Sequence, residues 1–206
     1  AIIKMIKNPP KTKSNLKKLM NYITQPAKTR PDLVGGFNCD WEQAFNEFND
    51  VKMEFDKEDG IQARHMVMSF DVNDDVTVEL AKQIGDELLQ HKLFENFQVV
   101  YAVHKDKDHV HIHFCINSVN LENGKRWHQT SADLKSLKIR SNDLCRKYNL
   151  SEIELNQDKG SRTDSEINNR FESWKYELYL AAVNSSRRAS SIDEFKSVMN
   201  ELGYTV

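Results

Sequence analysis

Residues 109–120, HVHIHFCINSVN, alternate between polar and apolar side chains with a period of two. Successive side chains of a β-strand point to opposite faces of its sheet, so this alternation predicts a strand with one core face and one polar face. The core-facing set is Val110, Ile112, Phe114 and Ile116, and the opposite set is His109, His111, His113, Cys115 and Asn117. A chain containing this strand must place a row of histidines on a sheet surface.

The neighbouring segments predict an α+β fold. Residues 63–72 divide in the same way, with Met66, Met68 and Phe70 on the core side and His65 and Ser69 on the polar side. Further strands are predicted at 2–7, 97–104 and 125–129, and helices at about 14–25, 41–55, 77–91, 131–148, 164–182 and 191–203. This mixed order predicts an antiparallel sheet with helices packed on one face and the other face available for function.

Histidine is concentrated in residues 104–114, which contain four of the seven histidines of the chain. His111 and His113 lie two residues apart on one face and can converge on one metal ion. His104 reaches the same point if the intervening residues form a tight turn. Three nitrogens with open coordination positions are typical of a catalytic site. Nitrogen ligands favour Mn²⁺ over Mg²⁺, although a bound phosphate could supply oxygens to either ion.

The side chains around these three histidines have other candidate roles. Asp106 could orient a ligand histidine through a hydrogen bond. His109 shares the ligand face but lies farther back along the strand. His65 is interpreted as a hydrogen-bonded sheet histidine rather than a ligand. A His-x-His pair alone is usually polar surface, and it is the addition of His104 and His109 that favours a metal site here.

Composition limits the class of protein. The chain has 206 residues, enough for one domain with an extension, and no apolar run approaches the roughly 18 residues of a membrane span. Its three cysteines are widely spaced and odd in number, so we expect a reducing, cytoplasmic location rather than a disulfide framework.

Charge is unevenly distributed along the chain. The formal net charge is −2, yet residues 1–31 contain eight cations and no acid, and residues 125–140 contain five cations and one acid. Such a division suits a protein that contacts a polyanion with one side. A solvated lysine surface is an equally good interpretation on charge alone.

Three motifs in the first 120 residues resemble those of the relaxases that mobilise plasmids and integrative conjugative elements. The resemblance is to the branch that contains the Ti-plasmid and broad-host-range plasmid relaxases. LMNYITQPAKT resembles the first motif, whose nucleophile would be Tyr22, and HMVMSF resembles the second, whose serine would be Ser69. The third motif is HKDKDHVHIHFCIN, with its characteristic positions at His104, Asp106, His111, His113 and Asn117. Many relatives have asparagine where this chain has His109.

The resemblance implies the HUH endonuclease fold, with five antiparallel strands and a divalent metal, Mn²⁺ or Mg²⁺, on the open face. It also implies the metal-dependent nicking and rejoining of single-stranded origin-of-transfer DNA. Tyr22 would attack the phosphate to give a 5′-phosphotyrosyl link and a free 3′-hydroxyl. Asp106, His109 or His65 would accept the phenolic proton, and the sequence does not choose among them.

DNA contacts and partners follow from the same resemblance. The residues expected to contact DNA are Ser69, Lys28, Arg30, Asn117, Lys125 and Arg126. Trp127 could stack on a base or belong to the core. The expected partners are single-stranded origin DNA, accessory relaxosome proteins and a coupling protein, without membrane insertion.

We expect residues 1–150 to form the catalytic core and residues 151–206 a helical extension of the same domain, within a protein that continues further. Three other interpretations remain. A rolling-circle replication initiator or transposase would use a tyrosine C-terminal to the histidines, such as Tyr148 or Tyr176. A non-catalytic origin-binding module would need no metal, and a metal-dependent hydrolase would need no tyrosine.

Overall fold

In the computed structural model, which describes residues 1–155, 178, 181–182, 185–186, 189 and 191–204, the histidine-bearing segment is the central strand of a sheet. The sheet has five antiparallel strands in the order β1-β3-β5-β4-β2. Their bounds are β1 Ile2–Met5, β2 Val34–Phe37, β3 Ala63–Ser69, β4 Val99–His104 and β5 His111–Asn117. The predicted α+β class and five-stranded antiparallel sheet are confirmed.

Helices lie on both faces of this sheet, which differs from the expectation that they would lie on one. The helices of the first 155 residues are α1 Lys13–Ile23, α2 Ala44–Glu54, α3 Val78–Leu89 and α4 Ser131–Lys147, with a 3₁₀ turn at Pro31–Leu33. Helices α3 and α4 bury their apolar side chains against Met66, Ile112 and Phe114. Helices α1 and α2 pack on the opposite face, against Ala102 and Cys115. The histidine face is therefore partly covered.

Helix α1 presents Tyr22 because of its amphipathic pattern. Thr12 caps its first turn, accepting a hydrogen bond from the Asn15 backbone at 3.1 Å, two residues before the expected cap at Ser14. The buried residues of α1 are Leu16, Met20 and Ile23. Each buried side chain of this kind contributes about 1.5–3 kcal/mol. Tyr22 lies at the margin of this stripe and is 41 % exposed.

Strand β2 was predicted as loop, and the return strand predicted at 125–129 is absent from the described residues. β2 has the sequence VGGF, and glycine weakens a strand prediction. Gly35 is required because a Cβ at this position would lie 2.4 Å from atoms of the Tyr101 side chain. The 125–129 segment makes one isolated bridge, between Val119 and Arg126.

The chain divides into two compact units, Ala1–Leu155 and Asn156–Val206. In the second unit, helix α5 Ile192–Glu201 begins after Ser191, whose hydroxyl accepts from the Glu194 backbone at 3.2 Å. The helix predicted near 164–182 lies largely outside the described residues, and the linker predicted at 185–191 is described only at residues 185–186, 189 and 191. None of the described helices is both long and apolar enough to cross a membrane. The domain assignment remains a prediction.

Candidate metal centre and nucleophile

Three histidines meet at one end of the central strands. His104 ends β4 and pairs with His111 at the start of β5, and His113 follows on the same face. One ring nitrogen from each lies within 4.8 Å of the other two. All three are buried, with exposures of 0 %, 3 % and 6 % for His104, His111 and His113. The pairing register of β4 and β5 therefore brings the three predicted histidines together.

The second nitrogen of each ring has a hydrogen-bonding partner. His104 Nε2 lies 2.7 Å from the Ile23 carbonyl, and His111 Nδ1 lies 3.2 Å from the His109 carbonyl. His113 Nδ1 lies 2.8 Å from His65 Nε2. Partners of this kind fix the tautomer and orientation of metal-binding histidines.

The remaining nitrogens fit a metal ion. His104 Nδ1 is buried and has no hydrogen-bond partner among the described residues. A buried, unpaired acceptor is costly unless it has a ligand. Three imidazole nitrogens converging on one point are a donor set for a divalent transition ion.

Burial keeps these imidazoles neutral. It lowers the pKa of His104 and His111 below the usual 6.5, and that of His113 to about 3. Neighbouring histidines lower the pKa of His111 and His113 further, and the charges of Lys28 and Lys107 do so for His104. Burial also lowers the pKa of His65 to about 4. Neutral imidazole is the form that coordinates metals.

Asp106 connects the histidines to Lys28. Its Oδ1 lies 3.5 Å from His111 Nε2, and its Oδ2 lies 3.4 Å from Lys28 Nζ. Partial burial opposes ionisation of Asp106, but the hydrogen bond and charge of Lys28 hold its pKa below the usual range. An anionic carboxylate therefore lies beside the cluster.

Tyr22 lies against the same cluster. Its ring is edge-on to His113, with centroids 5.5 Å apart, and to His104, at 6.2 Å. Lys28 Nζ lies 4.1 Å from the Tyr22 ring centre. The sequence predicted Tyr22, His104, His113 and Lys28 separately, and the fold brings them together around one point.

Two further predicted residues lie close to this point. Ser69 pairs with His111 across β3 and β5, so it lies on the same face, half-buried. The His109 ring lies 5.3 Å from the His111 ring, and its carbonyl accepts from His111. His109 therefore supports His111 directly.

The other predicted DNA contacts lie elsewhere. Asn117 is fully buried and donates to Gln98 Oε1 at 2.8 Å and to the Phe48 carbonyl at 3.3 Å, so it does not reach the surface. The cause is helix α2, which covers this end of the histidine face. Arg30 is exposed but is paired with acids at 3.0 and 3.1 Å, Glu79 and Asp32.

The second basic segment lies beyond the end of β5 that is opposite His111. Arg126 pairs with Val119, which lies eight residues beyond His111 along the chain, or roughly 25 Å at the rise of a strand. Lys125 is its neighbour. Trp127 is 6 % exposed and contacts Phe94 and Phe97, with ring centroids at 5.8 and 4.8 Å, so it belongs to the core.

Sequence reasoning missed how the site is assembled. The Ile23 carbonyl that orients His104 is a backbone group, and no side-chain pattern indicates it. The position of Lys28 over Tyr22 depends on the loop after α1, whose path is not encoded by periodicity. The sequence contained one indication that Lys28 lies near Tyr22, which is their six-residue spacing within a segment that contains no acid.

Comparisons with known proteins agree with this geometry. The family model described as "Relaxase: MobA/VirD2-like, nuclease domain" matches residues 22–150. The protein rlx of Staphylococcus aureus is 35 % identical over 184 residues, covering 87 % of this chain and 58 % of that protein. A second rlx protein of S. aureus is 32 % identical over 198 residues, covering 95 % of this chain and 58 % of its own length. The chain thus spans little more than half the length of these relatives.

A solved structure has a similar fold. The MobM relaxase domain bound to 26-nucleotide pMV158 oriT DNA superposes with a TM-score of 0.54 at 15 % identity, covering 81 % of this chain and 98 % of that one. Another structure of the same domain, described as Mn-bound, gives a TM-score of 0.53 at 14 % identity and covers 81 % and 97 % of the two chains. At these identities the likeness extends to the fold alone.

Proposed function

The chain belongs to the family of MobA/VirD2-like relaxase nuclease domains, and we propose that it nicks and rejoins single-stranded origin-of-transfer DNA through Tyr22. The observation that carries the proposal is the edge-on approach of an exposed tyrosine to His104 and His113, two of the three buried histidines of the cluster. A tyrosine hydroxyl beside a metal-binding cluster is suited to phosphoryl transfer.

His104, His111 and His113 would hold a divalent cation, Mn²⁺ or Mg²⁺. When bound, such an ion supplies charge stabilisation to the phosphate that is being transferred. The MobM domain of similar fold is described as Mn-bound, and an all-nitrogen donor set favours Mn²⁺. His65, His109 and the Ile23 carbonyl keep the three rings oriented.

In the proposed reaction the Tyr22 oxygen attacks phosphorus, and the bond from phosphorus to the 3′ oxygen breaks. The products are a 5′-phosphotyrosyl link and a free 3′-hydroxyl, and attack by that hydroxyl reseals the strand. Of the three candidate proton acceptors we favour Asp106, because it is an anionic carboxylate whose ion-pair partner Lys28 lies over the Tyr22 ring.

Tyr148 is a poorer candidate for the nucleophile. The Tyr148 hydroxyl donates to Glu87 of α3 and lies with the core on the face opposite the histidines. This position disfavours the replication-initiator interpretation. Accessory relaxosome proteins and a coupling protein remain proposed partners, as expected for a mobilisation relaxase.

The test is adduct formation with Mn²⁺ and a pool of labelled single-stranded oligonucleotides that tile the plasmid or element encoding the chain. We expect a covalent adduct that peptide mapping assigns to Tyr22. Tyr22→Phe should abolish both adduct and nicking while retaining the fold, and Tyr148→Phe should retain both. An adduct on Tyr148 or Tyr176 would place the chain among replication initiators. Nicked DNA without any adduct would make it a hydrolase.

A further inference from the structure

A cavity of about 260 Å³ lies beside the metal centre on the histidine face. It is lined by Ile6, Asn8, Pro9, Pro10, Asn15, Leu19 and His65. Building on the proposed function, we propose that this cavity binds one unpaired nucleobase of the DNA strand close to the nick. Asn8 and Asn15 would then determine which base is preferred.

The chemistry of the lining suits a base. Proline and aliphatic side chains provide apolar walls for the faces of a flat ring. The Asn8 and Asn15 side chains make no hydrogen bond to the described part of the chain, and each amide can both donate and accept. Asparagine matches the paired donor and acceptor on a base edge. The volume lies below the roughly 300–1,000 Å³ of drug-sized pockets, so a single ring system fits best.

Helix α1 aligns the cavity with the nucleophile. Asn15, Leu19 and Tyr22 follow the i, i+4, i+7 spacing and lie on one side of the helix. Asn15 and Tyr22 are separated by about 10 Å along its axis. A strand whose phosphate reaches Tyr22 therefore passes over the cavity with a neighbouring base.

His65 connects the cavity to the metal centre. Its ring forms part of the cavity wall, stacks on the His113 ring with centroids 5.1 Å apart, and is hydrogen-bonded to His113. A base seated against His65 would hold the orientation of His113. Base recognition and the geometry of the metal site are thus physically coupled.

Charge around the cavity supports a nucleic-acid occupant. Lys7 and Lys11 flank the loop that contributes Asn8, Pro9 and Pro10, and Lys18 precedes Leu19 on α1. These three lysines are exposed and have no ion-pair partner among the described residues. They can contact the phosphates on either side of a bound base.

The experiment sequences the adducts formed by a randomised single-stranded DNA pool in the presence of Mn²⁺. Wild type should show a base preference at a position near the nick. Asn15→Ala and Asn8→Gly should each reduce that preference by about fivefold or more, with preferences at other positions retained. Glycine is chosen for Asn8 because its φ is 61°, a conformation in which alanine would be strained. Asn46→Ala, an exposed asparagine of α2, is the matched control and should behave as wild type.

An abasic nucleotide at the identified position completes the test. It should slow adduct formation by wild type, and it should slow the variants less, because they have already lost an amide contact to the base. Adducts with the same base preferences in wild type and both variants would overturn the cavity inference while leaving the proposed function intact. Absence of any adduct in wild type would overturn the proposed function itself, and the cavity inference with it.

Discussion

The Lys28 ammonium lies 4.1 Å from the centre of the Tyr22 ring and 3.4 Å from a carboxylate oxygen of Asp106. In the proposed reaction a cation at this position would stabilise the Tyr22 phenolate, and the carboxylate stabilises the cation. The sequence predicted that Lys28 binds phosphate. We propose from this geometry that Lys28 also acts on the Tyr22 oxygen.

We therefore expect Lys28→Met to reduce the nicking rate by about 10²-fold, because a preorganised charge is lost from the reacting centre. Lys28→Arg keeps the charge and should recover part of the rate. Single-turnover rates at saturating DNA are the measurement, with the exposed Lys92→Met, which follows α3, as control. If Lys28→Met weakens only DNA affinity, Lys28 is a phosphate contact and nothing more.

Metal binding can be measured without activity. Mn²⁺ at about 100 times its dissociation constant should raise the free energy of unfolding by about 2.7 kcal/mol. His104→Ala and His113→Ala should remove this stabilisation, and EDTA should abolish nicking in wild type. The exposed His128→Ala is the control and should respond to Mn²⁺ as wild type does. Equal stabilisation of His104→Ala and wild type would place the ion elsewhere.

Asn117 offers a contrast between structural and DNA-binding roles. Its amide donates to Gln98 and to the Phe48 carbonyl while fully buried. Asn117→Ala should lower the free energy of unfolding by about 2–3 kcal/mol, because two buried acceptors lose a donor. DNA affinity of the folded variant should be unchanged. Urea unfolding and fluorescence anisotropy separate the two effects, and a loss of affinity without a loss of stability would restore the DNA contact.

The burial of Lys52 predicts that the free energy of unfolding depends on pH in an unusual way. It is 0 % exposed, and burial lowers its pKa from 10.5 to about 8. Between these pH values the unfolded chain binds more protons than the folded chain, so the free energy of unfolding should rise as pH increases from 8 to 10.5. At neutral pH the charged, buried lysine costs up to about 3 kcal/mol, partly offset by its 3.0 Å hydrogen bond to the Phe48 carbonyl.

Lys52→Met should consequently stabilise the protein by about 1–2 kcal/mol at pH 7 and flatten the profile between pH 8 and 10.5. Urea unfolding of both proteins across this range isolates the Lys52 contribution, since the other titrating groups are shared. A destabilised variant would mean that the hydrogen bond outweighs the cost of burial.

The sheet and the metal cluster could be predicted because both depend on local periodicity. The alternation in 109–120 correctly placed His111 and His113 on one face, and the short 105–108 connection brought His104 to them. Strand β2 could not be predicted, since the two central residues of VGGF are glycines, which are depleted in strands. It is specified by the close approach of Gly35 to Tyr101.

The exposure of a predicted DNA contact depends on tertiary structure, which the sequence pattern does not show. Asn117 was assigned correctly to the histidine face, but an amphipathic pattern in α2 does not say which face of the sheet that helix covers. Lys125 and Arg126 carry the right charge, but their distance from His111 depends on strand register. Charge composition contains no information about the exposure of a residue or about its distance from the histidines.

The hydrogen bond between His104 and the Ile23 carbonyl joins a proposed metal ligand to the residue that follows the proposed nucleophile. A cleaved strand attached to Tyr22 would exert its pull on the C-terminal end of α1. That end is anchored by the buried Met20 and Ile23 and by the His104 bond to the central sheet. Mechanical load on the DNA would therefore pass into the sheet instead of unwinding the helix. The phosphotyrosyl link would therefore stay in position while the strand is under tension. A 3′-hydroxyl that returns to the site would meet it at a high effective molarity.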